Sequence, residues 1–236
     1  MQTGKQLISR NLNYYNLNSI DYKKAWDYQK ELFQKRLDGV IPDTLLLLEH
    51  PHTYTFGKTA DRKNLISSES YLRKNKISVY DIDRGGDVTY HGPGQIVGYA
   101  ILSLSEWKED TDKYLRALED VIIQTCSSFG LSCGRKPKYT GVWIDDRKIC
   151  AIGIKVSRWI TMHGFALNVN TDLSLFNGII PCGIAGKEVT SLKKEIGKEM
   201  DISEVKKTIT EQFKNIFGYD KIINMQIDNK VLSVNI

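Results

Sequence analysis

The run Arg84–Gln95 reads Arg-Gly-Gly-Asp-Val-Thr-Tyr-His-Gly-Pro-Gly-Gln, and it constrains the fold more than any other stretch. Four of its twelve residues are Gly and one is Pro. Gly is costly inside regular elements, and Pro removes a backbone donor, so the run suits neither a plain helix nor a central strand. Arg84, Asp87, Thr89, Tyr90, His91 and Gln95 place six polar side chains on it. A surface turn is the ordinary fate of such a segment. The apolar flanks Ile77–Ile82 and Ile96–Leu104 favour another reading, a loop held between two buried strands where backbone can approach a ligand. The Gly spacing matches neither the Walker phosphate loop nor the dinucleotide fingerprint.

The rest of the chain supplies helices and strands in mixed order. Apolar residues three or four apart predict helices over Asp21–Leu37, Asp110–Phe129 and Ser203–Phe217, the last capped by Ser203. The stripe Tyr114, Leu115, Leu118, Val121, Ile122 and Thr125 reads as core. Asp61–Asn75 is charged and holds a short helix. Leu45–Leu48 and Thr53–Phe56 read as strands, and Val142–Ile144, Ile149–Val156 and Trp159–Val169 as a three-strand meander. Asn170–Gly178 reads as a loop, and the apolar runs of Ile222–Ile236 as a terminal hairpin around Asp228-Asn229. Strands that are sometimes neighbours and sometimes separated by helices imply an α+β fold, a mixed sheet with flanking helices. No linker, repeat or low-complexity tract divides the chain, so residues 1–236 are read as a single catalytic domain.

Composition narrows the function classes. Lys+Arg number 33 and Asp+Glu 28, a net charge of +5. The charges are scattered, which argues against nucleic acid as a partner and allows an acidic protein. Nothing approaches a membrane span, and the polar stretch Met1–Leu17 does not resemble an export signal. The expected setting is cytoplasmic, with reduced thiols. Cys126, Cys133 and Cys150 suit the ordinary fate of a cytosolic thiol, inert burial. Cys182 differs, because Pro181 and Gly183 flank it and present it in a turn. His91 and His163 stay open to two readings, base beside a thiol or hydrogen-bonding wall. Arg84 and Asp87 read as an ion pair steadying the loop.

Four segments follow one another in an order that resembles the lipoyl (octanoyl) transferase family. They are Arg84–Gln95, Arg147–Gly153, His163–Val169 and Ile180–Ile184, with weaker similarity upstream over Leu46–Gly57. One departure is Ala100, where the pattern has Pro after Gly98-Tyr99. The resemblance implies a biotin/lipoyl protein ligase-like fold. It implies an octanoyltransferase that moves an octanoyl or lipoyl group from acyl carrier protein to a lysine of a lipoyl domain. The acceptors would be 2-oxoacid dehydrogenases and the glycine cleavage H protein. It makes Cys182 the nucleophile that holds the acyl group as a thioester and Lys148 its activator. Lys155 is the nearest competitor, seven residues along the strand and so expected on its opposite side. The implied acyl pocket comprises Arg84, Gly85, Gly86, Asp87, Val88, Thr89, Tyr90, His91, Ala151, Ile152, Gly153, Gly164, Phe165 and Ala166. No cofactor is implied, neither metal nor nucleotide. Two rivals remain, an ATP-dependent ligase of the same fold and a non-catalytic homologue that binds acyl chains or lipoyl domains.

Overall fold

The computed structural model of the chain describes residues 9–180 and 188–227. Its centre is a large mixed sheet. The strands are β1 (Asn11–Ser19), β2 (Asp43–Glu49), β6 (Gln95–Ile101), β7 (Gly134–Lys136), β8 (Tyr139–Ile144), β9 (Arg147–Ser157), β10 (Ile160–Asn168) and β12 (Lys221–Asn224), in the order β12-β1-β2-β6-β10-β9-β8-β7. A short strand β11 (Glu188–Val189) pairs in parallel with β9. β1 runs parallel to both β2 and β12, and the remaining neighbours are antiparallel. A second, small sheet has the order β4-β3-β5, with β3 (Thr53–Phe56), β4 (Ser78–Asp81) and β5 (Val88–His91).

The four consecutive leucines of β2 show why the large sheet lies inside. Leu45 and Leu47 pack with Tyr114 and Leu118 of α3 (Thr111–Ser128) and with Ile209 and Phe213 of α5 (Ile202–Phe217). Leu46 and Leu48 pack with Ala25, Tyr28 and Leu32 of α1 (Tyr22–Leu37) on the opposite face. A strand covered on both faces needs apolar side chains at every position, not at alternate ones. Asp21 and Asp110 cap α1 and α3 by accepting from the Lys24 and Lys113 amides. Two shorter helices, α2 (Glu69–Lys74) and α4 (Leu192–Ile196), lie in the connections.

The structure alters several expectations. The cap of α5 is Asp201, whose carboxylate accepts from the Ser203 amide, so Ser203 is already inside the helix. Asn170–Gly178 contains a 3-10 helix, Leu173–Gly178, begun by Asp172. The hairpin expected at the C-terminus is replaced, in its first half, by β12 alongside β1; the second half lies outside the described residues. The Gly-rich run is a loop only in part, since Val88–His91 forms an edge strand of the small sheet.

Phe213 is fully buried between the sheet and α3. Phe213→Ala should therefore lower the unfolding free energy by about 3–5 kcal/mol in urea titrations. A loss below about 1 kcal/mol would show that α5 does not close this core.

Candidate active site

β9 carries the floor of the site. The Gly85 amide donates to the Ile154 carbonyl at 2.9 Å, which docks the Gly loop onto β9. Gly153 makes the approach feasible, because a Cβ there would stand 2.8 Å from the Arg84 Cδ and 3.0 Å from the Gly85 carbonyl oxygen. On its other side the loop is held by the Lys58 amide, which donates to the Arg84 carbonyl at 2.9 Å. Gly57 must be glycine for the same reason, since its Cβ would fall 2.2 Å from the Gly86 carbonyl oxygen. The Arg84 guanidinium is buried and donates to the Thr55 carbonyl at 2.8 Å and to Thr55 Oγ1 at 3.0 Å. Asp87 accepts from Asn64 Nδ2 at 2.6 Å. Arg84 and Asp87 thus fix two different neighbours of the loop, where the sequence suggested a bond between them.

Between the loop and the large sheet lies a cavity of about 520 Å³, reached by Tyr22 of α1 and by Thr111, Asp112 and Leu115 of α3. Of the pocket residues read from the sequence, Arg84, Gly85, Gly86, Asp87, Val88, Thr89, His91, Ala151, Ile152, Gly153, Gly164, Phe165 and Ala166 line it, as does Lys148. Tyr90 does not. It points into the core of the small sheet, edge-on to Phe176 at 5.2 Å, with its hydroxyl 2.8 Å from His52 Nδ1. Tyr22, Val97, Tyr99, Thr111, Leu115 and Tyr139 also line the cavity and were not anticipated as site residues. They come from elements far apart in sequence. Leu115 belongs to the apolar stripe of α3 yet reaches the cavity instead of the core.

Lys148 owes its direction to a bulge. Val142 pairs with Cys150 and Trp143 with Lys148, so β9 has one more residue than β8 at this point. The extra residue places Lys148 on the face of Trp143, with Nζ 4.8 Å from the ring centroid, while Cys150 stays in the core under α3. The bulge also overturns the expectation that Lys155 lies on the opposite side. The two lysines share a face, and contacts distinguish them. Lys155 donates to Asp83 Oδ2 at 2.6 Å and does not line the cavity.

Cys182 lies outside the described residues. The chain before it is tied to the small-sheet side, where the Ile180 amide donates to the Asn64 carbonyl at 2.8 Å and Ile179 bridges to Leu65. The chain after it returns as β11, with Glu188 opposite Arg147 and Val189 opposite Lys148.

His50, His91 and His163 are buried, and burial holds them neutral. It lowers His50 to about 4 and takes His91 well below its ordinary value, with the nearby Arg84 guanidinium adding to the effect. His91 has both ring nitrogens engaged, Nδ1 with Gln95 Oε1 at 2.9 Å and Nε2 with Thr55 Oγ1 at 3.3 Å. Of the two readings open for His91, the structure supports the wall. His163 takes a φ of 61° and sets Nε2 2.8 Å from Asp83 Oδ1. That bond, then Lys155, keeps the Asp83 carboxyl well below the usual range, so Asp83 is the acceptor and His163 Nε2 the donor. Burial lowers His163 despite this partner.

The chain matches the Lipoyl protein ligase A/B catalytic domain over residues 21–214. It is 48% identical over 227 residues to the octanoyltransferase of Christiangramia forsetii, covering 89% of this chain and 97% of that one. The chain belongs to this family. Among solved structures, a lipoate-protein ligase A bound with ATP superposes with a TM-score of 0.78 at 14% identity, covering 95% of this chain and 92% of that one. A biotin protein ligase from Aquifex aeolicus in complex with biotin and ATP gives a TM-score of 0.52 at 15% identity, over 89% of this chain and 71% of that one. The fold is therefore the biotin/lipoyl protein ligase-like one that the sequence implied. Among the described residues of this family member, no helix is long and apolar enough to cross a membrane.

The neutral histidines have a measurable consequence. A histidine whose folded pKa is depressed is destabilising once the unfolded chain can take the proton, so stability is full above about pH 6.5 and falls below it. The depressed carboxylates Asp27, Asp83, Asp110, Glu195 and Asp201 act in the same sense only at more acid pH. The urea midpoint should therefore drop between pH 7 and pH 5, before the carboxylates titrate. A flat midpoint across that window would show that the three rings are not buried neutral.

Proposed function

We propose that the chain transfers an octanoyl group from acyl carrier protein to a lysine of lipoyl domains through a thioester on Cys182. The observation that carries this reading is a cavity whose floor is Ala151, Gly153, Gly164 and Ala166, with Lys148 on its wall. Small side chains leave room for an extended acyl chain against backbone, and a lysine beside the cavity can serve a thiol. Family membership makes the chain an acyltransferase, with an acyl donor and a lipoyl-domain acceptor as partners.

The reaction runs in two halves. Lys148 in its neutral form takes the Cys182 proton, and the thiolate attacks the thioester carbonyl of octanoyl-acyl carrier protein. The carrier thiolate leaves and is protonated. The amino group of the acceptor lysine then attacks the Cys182 thioester, loses a proton, and forms an amide as Cys182 is released. The carbonyl stays activated throughout, so this route needs no nucleotide. The acceptors fitting this chemistry are the lipoyl domains of 2-oxoacid dehydrogenases and the glycine cleavage H protein. The net charge of +5 suits an acidic carrier.

Intact mass after mixing with octanoyl-acyl carrier protein should show one added octanoyl group, removable by hydroxylamine and absent from Cys182→Ala. Lys148→Ala should slow acylation by about two to four orders of magnitude. Lys155→Ala should stay close to wild type. Transfer to an apo lipoyl domain should proceed with EDTA and without ATP. Modification that requires free octanoate, ATP and Mg²⁺ would instead identify a ligase and make the thiol incidental.

A further inference from the structure

The polar residues of the Gly loop and of β10 are joined by a buried chain of hydrogen bonds that leads to the main chain of Lys148. Its direction is fixed by what each group can do. Arg84 has only donors, so Thr55 Oγ1 accepts from its Nη2 at 3.0 Å. At the other end Gln95 Nε2 donates to the Tyr90 carbonyl, which turns Gln95 Oε1 toward His91 Nδ1, so the Thr55 hydroxyl proton goes to His91 Nε2 at 3.3 Å. With Nε2 accepting, the proton of neutral His91 sits on Nδ1 and is donated to Gln95 Oε1 at 2.9 Å. Gln95 Nε2 donates to the Tyr90 carbonyl at 3.0 Å and to Asn168 Oδ1 at 2.9 Å. Asn168 Nδ2 donates to the Thr190 carbonyl at 3.0 Å. The Thr190 amide donates to the Lys148 carbonyl at 3.0 Å. As far as the Thr190 carbonyl every link donates in the same sense, away from the guanidinium, and Arg84, Thr55, His91, Gln95, Asn168 and Thr190 are all buried, with Lys148 half-buried at the end.

The far end of this chain is pinned from the side as well. Thr190 Oγ1 donates to Glu195 Oε1 at 2.5 Å, and the same carboxylate accepts from Arg147 Nε at 2.9 Å. Thr190 therefore has its amide, carbonyl and hydroxyl all committed, immediately after β11 pairs with Arg147 and Lys148. Chains of hydrogen bonds polarise one another in a low-dielectric interior, and a buried member left without its partner is costly. The wall of the acyl cavity and the backbone that carries Lys148 are thus held in one register.

We propose that Gln95 and Asn168 are positioning residues for acyl transfer, which set the main chain of Lys148 relative to the cavity wall. The inference rests on the reading of Lys148 as the base. Neither side chain lines the cavity. Their loss should therefore leave donor binding largely intact and act on the chemical step.

Two nearly isosteric variants test this with octanoyl-acyl carrier protein as donor. Asn168→Asp keeps the bond from Gln95 but removes the donation to Thr190. Gln95→Glu keeps an acceptor for His91 but removes the donations to Tyr90 and Asn168. In both, kcat should fall between about tenfold and about a hundredfold, as for a displacement on the ångström scale. KM for the donor should stay within a factor of about three. Val205→Ala, a buried position on α5 outside the chain of bonds, supplies a destabilised control that should keep its kcat. Wild-type kcat in the folded variants, a loss no greater than in the control, or failure of both variants to fold would overturn the proposal. Wild-type enzyme that transfers no octanoyl group would instead overturn the reading of the site, so the two failures are distinct.

Discussion

The Gly85 amide bonds to the Ile154 carbonyl at 2.9 Å, and the depth of the cavity is set there. The bond requires the loop to lie directly on β9, which only an absent side chain at Gly153 permits. Once the loop is down, the Arg84 guanidinium has nowhere to go but inward, where Thr55 meets it. The loop is also bonded to the Gly57–Thr59 backbone, which follows β3. It therefore bridges the small sheet and the large one. A polar, Gly-rich segment is held rigid here by backbone approach instead of by side-chain packing.

The sheet beneath it imposes a second condition. Both faces of the large sheet are covered, one by α3 and α5 and the other by α1. The cavity lies where the Gly loop meets the sheet, with Tyr22 of α1 and Leu115 of α3 both reaching it. Its inner wall is then unavoidably polar, since Tyr22, His91, Tyr99 and His163 meet there. Burial keeps the histidines uncharged and the tyrosines protonated. Uncharged groups form a wall that an apolar chain can lie against at less cost than a charged one, whereas an imidazolium there would demand water or a counter-ion. Tyr99, whose hydroxyl meets His50 Nε2 at 2.7 Å, illustrates such a group.

Much of this was legible in the sequence, and the failures have physical causes. The three long helices followed from apolar periodicity, β2 from a short unbroken apolar run, and the meander from its strand pattern, because single elements dictate such signals. The Gly loop was legible because few chains tolerate such a run between apolar strands. β1 escaped notice because Asn11, Asn13, Asn16 and Asn18 hide its apolar residues, although Leu12, Tyr14, Tyr15 and Leu17 are buried. That Tyr90 turns away from the cavity was not legible, because a loop gives no rule for side-chain direction, whereas the strand Val88–His91 that forms there does. Leu115 and Tyr22 were missed because a cavity gathers residues by tertiary proximity, which no local pattern encodes.

Lys148 shows how a small irregularity decides such a matter. In an unbroken β9, strand alternation would give Lys148 the face of Cys150, which is buried beneath α3 together with its partner Val142. An ammonium there would be desolvated among apolar side chains. The extra residue between Lys148 and Cys150 inverts the alternation at one point and hands the lysine to the Trp143 face. The same irregularity coincides with a change of neighbour. β10 pairs with β9 only as far as Cys150, and β11 takes over the vacated edge at Arg147 and Lys148 because β8 already occupies the other edge. The bulge and the change of strand together bring three separate segments of the chain to the one lysine that lines the cavity from β9.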